Sequence, residues 1–412
     1  MTTASSSVQV IDELRDYLAE HKELADLLTD SLKQARANAA EKNNLKPDLF
    51  DALEWPQDVS GYLDYLDTFS RWAPSQGRSA AWTLDAKHGQ QEVFDRLCHF
   101  YYLIDQPVGN GKPTIVQNDP WFKTWLVEYV TAWGSFLDTT ASFSDEHLET
   151  FRRSLLYRID DSMVGEQPNQ KPNEPSGWLT FNQFFARELN PGLRPIGEPE
   201  DNHTVTMPAD CTYKATYDID KDSNVVEQSA GPLRLKLTHT IGSVPELLKK
   251  SAYGDKFANG KFVHYFLAPY SYHRFHTPVA GKVMECFPVH DSVYLDVTIG
   301  SNGQFDAPDN SADGYEFTQA RGVVVIDTAG SPYGDVGLVA VIPVGMAQVS
   351  SVHMTMTKGA QVPKGEEFGY FLFGGSDIIL LFQEGHVPDI NTDGGYRLYG
   401  TPIADPAPPT EL

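Results

Sequence analysis

The hydrophobic residues of this chain change their spacing near the middle, and this change limits what each half can fold into. In residues 1–160, apolar side chains recur every three or four positions, which is the period of one face of an α-helix. From residue 178 onward they occur in short runs bounded by Gly, Pro, Asn and Asp, which is typical of β-strands. Residues 160–177 are polar, contain prolines and show no apolar period, so they are predicted to form a linker.

The helical half contains two well-marked candidate helices. Apolar side chains over residues 11–32 fall on one stripe and predict a single long amphipathic helix. A second helix is predicted to begin after Asp119 and Pro120, which suit the N-cap and first-turn positions. Its stripe is more typical of a core than of a cofactor site and comprises Phe122, Leu126, Tyr129, Trp133 and Leu137. Further helices are predicted over residues 59–71, 91–104 and 145–159.

Strands are predicted in the second half over residues 261–268, 281–287, 293–299, 322–328, 336–344 and 378–382. The chain has 412 residues, and a single core stops growing at about 250 to 300 residues, so two units are expected. The predicted class is α+β. A helical N-terminal domain (1–160) and a linker (161–177) precede a mainly β domain (178–390), built as a sandwich or partly closed barrel, and a C-terminal tail (391–412).

Charge and composition exclude several classes of protein. The formal net charge of -24 repels nucleic acid and anionic lipid, so neither is an expected partner. Spanning a bilayer takes about 18 consecutive apolar residues, and the nearest run, residues 336–349, is broken by Gly337, Pro343 and Gly345. The N-terminus resembles neither a signal nor a transit peptide, so we expect a cytoplasmic location. The three cysteines have no metal-type spacing and are expected to be buried thiols.

Four segments carry residue types that take part in catalysis. They are FNQFFARELNPGLRPI (181–196), MPADC (207–211), YSYHRFHTPVAG (270–281) and FLFGGSDIILLF (371–382). Each has a structural reading of its own: a docking helix, a turn aspartate, core histidines and a glycine turn. In an extended chain His273 and His276 point to opposite faces and serve different neighbours. Because no further ligands can be identified, no metal is expected.

Taken together, the segments supply the parts of a nucleophilic site. Asp210, His276 and Ser376 offer a carboxylate to orient, a base to accept a proton and a hydroxyl to attack, so a serine hydrolase is one reading. The chain lacks a G-x-S-x-G nucleophile elbow. A serine behind two glycines has a second possible target, which is the carbonyl of the preceding residue, Gly375.

All four segments, in this order, resemble the phosphatidylserine decarboxylases. FFARELNPGLRPI is similar to that family's FF-x-R-x-L-x-P-G-x-R-P-I, MPAD to its P-A-D-G, and APYSYHRFHTPVAGKV to its P-x-D-Y-H-R-x-H-x-P-x-x-G. GMAQVSSV, KGEEFGYF and FGGSDIILLF extend the resemblance, which covers residues 178–382. The acidic, aromatic-rich N-terminal half is more loosely similar to that of the fungal tryptophan decarboxylases of the same family.

The resemblance implies a proenzyme that cuts itself between Gly375 and Ser376 and converts Ser376 to a pyruvoyl cofactor. Asp210 and His276 match the residues that orient and activate the serine, and His273 matches the proposed proton donor to the product carbon. The pyruvoyl carbonyl forms a Schiff base with the substrate amine, without pyridoxal phosphate. The two cleaved chains are expected to stay associated. Asp377 departs from the usual Thr or Ser, and Cys211 from a Gly.

We therefore expect a decarboxylase of a soluble L-amino acid, with an aromatic one such as tryptophan favoured. One alternative is a phosphatidylserine decarboxylase making phosphatidylethanolamine. A second is an uncleaved relative that does not catalyse and serves as a binding module. A homo-oligomer is left open.

Overall fold

The computed structural model describes residues 6–41, 44–85, 89–109, 113–162, 177–227, 231–232, 234–235, 239–240, 242–307, 317–347 and 351–406. A helical N-terminal region is followed by a mainly antiparallel β part, which confirms the α+β class. Most of the predicted linker, residues 163–176, lies outside the described residues. None of the helices in these ranges has the length and apolarity needed to cross a membrane.

The helices of the described residues are concentrated in the first 160 positions. They are α1 Ser7–Glu20, α2 Lys22–Ala40, α3 Pro47–Asp51, α4 Val59–Phe69, α5 Glu92–Tyr102, α6 Pro120–Leu137, α7 Asp145–Arg152, α8 Phe181–Phe185 and α9 Val244–Leu248. In α6 the side chain of Asp119 accepts a hydrogen bond from the amide of Phe122 at 2.9 Å, so this predicted start is confirmed.

The long helix predicted over residues 11–32 is wrong in one respect, because it is two helices that meet at His21. The backbone of His21 leaves the helical region (φ −114°, ψ 75°), and its amide closes α1 on the carbonyl of Tyr17. Its ring stacks on that of Tyr17 with centroids 3.7 Å apart. The apolar stripe continues across the break on both sides, and no Gly or Pro marks it, so the spacing alone does not reveal it.

The β part is built around one open sheet. The described strands are β1 Thr83–Asp85, β2 Gly89–Gln90, β3 Cys211–Ile219, β4 Val225–Glu227, β5 Gly231–Pro232, β6 Arg234–Leu235, β7 His239–Thr240, β8 Lys261–Leu267, β9 Arg274–His276, β10 Gly281–Val289, β11 Thr298–Ile299, β12 Phe305–Asp306, β13 Arg321–Asp327, β14 Leu338–Met346, β15 Val352–Met354, β16 Gln361–Val362, β17 Glu367–Phe371, β18 Gly375–Phe382 and β19 Tyr396–Arg397. The main sheet has the order β16-β10-β13-β14-β18-β8-β3-β4-β5, with β19 also on β3, and it is not closed into a barrel. A smaller sheet has the order β15-β17-β9.

Strand β18 lies inside the main sheet, between β14 and β8, and pairs with both along its length. Its side chains alternate between two hydrophobic clusters. Ile378 and Leu380 belong to a cluster that also contains the N-terminal helices, whereas Ile379 and Leu381 belong to one that contains α9. The helical region and the sheet therefore share one core.

Residues 293–299 were predicted to form a strand, but only Thr298–Ile299 does so. The backbone of the preceding residues is bound by side chains of the helical region instead. The side-chain amide of Gln117 donates to the main-chain carbonyl of Leu295 at 3.1 Å. The carboxylate of Asp105 accepts from the main-chain amide of Val297 at 3.1 Å. These side chains take the hydrogen bonds that a neighbouring strand would make.

The segment 391–406, assigned to the tail from the sequence, packs against the β part. Strand β19 pairs with the start of β3 at Cys211 and Thr212. The Arg397 side chain is 1% exposed and donates to the Asp393 carboxylate at 2.6 Å. The final residues, 407–412, lie outside the described residues.

Candidate active site

Ser376 is the second residue of β18, and its side chain is fully buried. It lies opposite Gly345 of β14 and Leu267 of β8. Its Oγ has no hydrogen-bond partner among the described residues. Gly374, two positions earlier, has a φ of 147°, a region that side-chain-bearing residues rarely adopt. The hydroxyl is thus buried, two residues after a glycine whose backbone conformation other residues rarely adopt.

Asp377 points away from Ser376, to the opposite face of the sheet. Adjacent residues of a strand face opposite sides, and Asp377 is in line with Ile379 in the cluster that contains α9. Its Oδ2 lies 3.3 Å from Nε2 of His264, and both side chains are 0% exposed. The carboxyl group that departs from the family pattern is therefore on the other side of the sheet from the serine hydroxyl.

The residues just before the two glycines are fixed by the helical region. Asn182 of α8 accepts a hydrogen bond from the amide of Phe373 at 3.4 Å and donates to the carboxylate of Asp138 at 2.8 Å. It also donates to the carbonyl of Gly134 in α6 at 3.2 Å. The Phe373 ring packs against Trp133 of α6, with centroids 5.5 Å apart. Helix α6, predicted to be core, therefore also supports the segment that leads to Ser376.

His273 is fully buried against the helix α8. Its ring stacks on Phe185 with centroids 4.0 Å apart, and Phe185 in turn contacts Phe373 at 5.2 Å. Neither imidazole nitrogen meets hydrogen-bond geometry with a described residue. Burial, and then the nearby charge of Arg187, hold the pKa of His273 well below its ordinary value, so the ring is neutral at pH 7.

His276 has a defined tautomer because both ring nitrogens have partners. Nδ1 lies 3.0 Å from the carbonyl of Gly365, which can only accept, so Nδ1 carries the proton. Nε2 lies 3.1 Å from the Tyr272 hydroxyl, and burial raises the pKa of that phenol, so the hydroxyl donates to Nε2. Burial lowers the pKa of His276 to about 4. The imidazole is therefore a neutral base, and its basic lone pair, on Nε2, accepts the hydrogen bond of Tyr272.

Asp210 immediately precedes β3 and is 2% exposed. Its Oδ2 accepts a hydrogen bond from Arg194 at 2.8 Å, and its Oδ1 accepts one from the amide of Tyr399 at 2.8 Å. The neighbouring Cys211 is buried, and its thiol contacts the carbonyl of Ala209 at 3.3 Å. The carboxylate is consequently engaged by an arginine and a main-chain amide.

Direct hydrogen bonds do not link the three residues of the predicted triad. Asp210 and His276 are joined instead through Tyr399, whose amide binds the carboxylate and whose ring stacks on the imidazole with centroids 3.9 Å apart and planes 3° apart. The Ser376 hydroxyl lacks a bond to either of them. Sequence reasoning missed Tyr399 because it lies in the segment assigned to the tail.

Two adjoining cavities of about 330 and 350 Å³ lie between the helical region and the small sheet. Arg187 and Arg274 line the first, and Trp133 and Phe373 line the second. Both volumes are in the range of small-molecule sites. The wall residues common to the two are Asp138, Asn182, His353 and Leu372.

Residues 181–404 match the sequence profile of the family described as phosphatidylserine decarboxylase. The match contains all four segments singled out above and extends past β19. The chain belongs to the phosphatidylserine decarboxylase family.

Individual members of the phosphatidylserine decarboxylase family resemble the chain to different extents. Phosphatidylserine decarboxylase proenzyme 2 of Oryza sativa is 33% identical over 206 residues, which is 50% of this chain and 29% of the rice protein. The Chlamydia trachomatis proenzyme is 33% identical over 211 residues, or 50% of this chain and 60% of that protein. Decarboxylase iboD of Amanita muscaria is 28% identical over 305 residues, or 69% of this chain and 82% of that protein.

Proposed function

We propose that this protein is a proenzyme that cuts its own chain between Gly375 and Ser376 and then removes carbon dioxide from a soluble L-amino acid. An aromatic amino acid, tryptophan above all, is the favoured substrate. The observation that carries the proposal is the Ser376 hydroxyl, which is fully buried and has no hydrogen-bond partner among the described residues. A buried hydroxyl of this kind costs about 1–3 kcal/mol, so a role in chemistry accounts for it better than a role in stability.

Self-cleavage begins when Ser376 Oγ attacks the carbonyl carbon of Gly375. The amide nitrogen leaves that carbon, so the peptide bond becomes an ester to the serine oxygen. Loss of the Ser376 α-proton then breaks the bond between the serine β-carbon and that oxygen, which leaves Gly375 as a carboxylate and residue 376 as dehydroalanine. Addition of water and loss of ammonia leave a pyruvoyl group at the start of the smaller chain.

We assign the first of these proton transfers to His276. In this proposal His276, neutral and with a lone pair on Nε2, accepts the serine proton, and Asp210 fixes the neighbouring Tyr399. For Nε2 to reach Ser376, the Tyr272 hydroxyl must release it.

The position of Ser376 fits a pyruvoyl group, because the residue whose carbon atoms would form that group is fully buried. When present, the group supplies an electrophilic carbonyl that withdraws electrons from the substrate amine, so that the carboxylate can leave as carbon dioxide. His273 is the proposed donor of the proton that replaces the carboxylate, a role that requires its ring, neutral in the free protein, to take up a proton before the transfer. Phe185 orients the ring.

Two observations support a small amino acid as the substrate. Both cavities are of small-molecule size, and the second is lined by the aromatic side chains of Trp133 in α6 and of Phe373 in the segment before Ser376. The similarity to the Amanita decarboxylase covers 69% of the chain, whereas the similarity to the rice and chlamydial proenzymes stops at 50%. Residues 178–412 are 57% of the chain, so the similarity to the Amanita protein, which is named only as a decarboxylase, includes part of the sequence before residue 178.

Mass spectrometry of the purified protein tests the cleavage. We expect a fragment of residues 376–412, which is 412 minus 375 or 37 residues, with a blocked N-terminus. Ser376→Ala should leave one uncut chain without decarboxylase activity, and Ser301→Ala, at an exposed serine, should process as the wild type does. A wild-type protein that remains a single chain and is fully active would contradict the proposal. One that remains uncut and inactive would favour the non-catalytic binding module.

A product screen over the twenty amino acids and phosphatidylserine vesicles tests the substrate. We expect release of an amine from an aromatic amino acid, detected by chromatography, and none from the lipid. Phosphatidylethanolamine as the only product would assign the protein to lipid decarboxylation instead.

A further inference from the structure

Arg187 carries a buried positive charge that has no carboxylate partner within the described part of the chain. Its side chain is 3% exposed. Both of its hydrogen bonds come from one terminal nitrogen and go to main-chain carbonyls, those of Tyr157 at 3.1 Å and Tyr270 at 3.2 Å. The Nε atom is buried and has no partner. Two carbonyls orient the guanidinium but do not neutralise it.

The other buried arginines of the described ranges are all paired. Arg194 lies 2.8 Å from Asp210, Arg321 lies 3.5 Å from Asp291, and Arg397 lies 2.6 Å from Asp393. An isolated buried charge is costly, and proteins usually pair it or bind a ligand of opposite sign with it. Among these buried arginines, Arg187 alone lacks a carboxylate partner, which indicates that it binds an anionic ligand.

The position of Arg187 shows where that anion would lie. Arg187 lines the cavity of about 330 Å³ between the helical region and the small sheet. It is two residues after Phe185, whose ring stacks on His273, and its charge is close enough to lower the pKa of His273. An anion bound to Arg187 would therefore lie beside the proposed proton donor.

We propose that Arg187 binds an oxyanion of the substrate through the unused edge of its guanidinium, an inference that rests on the proposed function. The planar fork of a guanidinium matches two oxygens of a carboxylate or phosphate. Every amino acid supplies such a group in its α-carboxylate, and a serine phospholipid or phosphorylated amine supplies it as phosphate. Arg187 is on this view a substrate-binding residue that fixes the substrate next to His273.

Calorimetric titration of the processed full-length protein tests this inference without relying on turnover. The probes are 3-phenylpropionate, a carboxylate that lacks an amine, and O-phosphoethanolamine, a phosphate that lacks a carboxylate. We expect one probe to bind, and Arg187→Gln to weaken its binding at least tenfold. Arg187→Lys keeps the charge but loses the fork, and should weaken binding several-fold. Arg152→Lys, at a half-exposed arginine paired with Glu149, should bind as the wild type does.

The two probes separate the two sources of the oxyanion, and either preference supports the inference. Wild-type protein that binds neither probe overturns it, as does Arg187→Gln that is cut normally and binds both probes unchanged. If Arg187→Gln fails to fold, the test rests on Arg187→Lys. Unchanged probe binding in Arg187→Lys would exclude two-pronged binding of the oxyanion by the guanidinium. An Arg187-dependent probe site in a protein that decarboxylates nothing would refute the proposed function alone. Decarboxylation with an unchanged KM in both variants would refute the Arg187 inference alone.

Discussion

The carboxylate of Asp377 and the imidazole of His264 lie 3.3 Å apart, fully buried, on the face of the main sheet opposite to the Ser376 hydroxyl. The two residues occupy adjacent strands, since Asp377 pairs with Phe266 and His264 pairs with Ile379. The pair therefore holds the start of β18 against β8 without entering the cavity side of the sheet.

Asp377→Asn should destabilise the protein while leaving Ser376 able to cleave. Removing one partner of a buried polar contact costs about 1–3 kcal/mol. In the uncut Ser376→Ala protein, Asp377→Asn should lower the free energy of unfolding in urea by that amount. In the protein that retains Ser376, Asp377→Asn should still be cleaved almost completely. Asp12→Asn, which breaks a half-exposed pair with Arg15, should change stability by less than about 0.5 kcal/mol. An Asp377→Asn protein that is stable but uncut would place the carboxylate in the cleavage chemistry instead.

Asn182→Asp should slow self-cleavage by tenfold or more. The new carboxylate keeps the shape of the amide but cannot donate to Asp138 or Gly134, and it faces the carboxylate of Asp138. The segment through Phe373 to Ser376 then loses its attachment to α6. A time course of fragment appearance on a denaturing gel measures the rate. Gln34→Ala, at an exposed helical amide, is the control, and equal rates in both variants would exclude the attachment from the reaction.

His273→Ala should still be cut but should turn over substrate at least a hundredfold more slowly. The ring stacks on Phe185 and is the proposed proton donor, whereas His276 is the proposed base for cleavage. Fragment analysis and amine release are measured on the same sample. His386→Ala, at an exposed histidine, should behave as wild type in both. A His273→Ala chain that stays uncut would mean that the roles of the two histidines are exchanged.

Stability should fall on acidification partly through His276. Its folded pKa of about 4 lies below the ordinary value of 6.5, so the unfolded chain takes up the proton first. The contribution of neutral His276 to the free energy of unfolding is complete above pH 6.5. It is lost as the pH falls from 6.5 to 4, by up to about 3 kcal/mol. The free energy of unfolding of the Ser376→Ala protein, measured in urea, should fall between pH 7 and pH 4.5. This decrease with pH should be smaller when His276→Gln is added. His386→Gln should leave the decrease unchanged, and an equal decrease in all three proteins would contradict the low pKa.

Local sequence signals predicted the elements that are specified by their own residues. Helix α6 is marked by Asp119 and Pro120, and the strand through Ser376 by its apolar run after two glycines. The break at His21 was missed because no Gly or Pro marks it. The loop before Thr298 was missed because its backbone is bound by the side chains of Gln117 and Asp105, which are far away in the sequence.

Motifs likewise named Asp210, His273, His276 and Ser376 without showing how they are connected. The link between Asp210 and His276 runs through Tyr399, which is 189 positions from Asp210 and joins it only in the folded chain. The roles of these residues remain predictions.

Because β18 lies between β14 and β8, the two pieces made by the proposed cleavage would remain associated. The shorter polypeptide would provide an internal strand of the sheet, hydrogen-bonded on both edges, and could not be released without dismantling the molecule. Folding must then precede cutting. Once denatured, the two pieces would have to find each other by diffusion, so recovery should depend on protein concentration, whereas the intact Ser376→Ala polypeptide should regain its structure at any dilution.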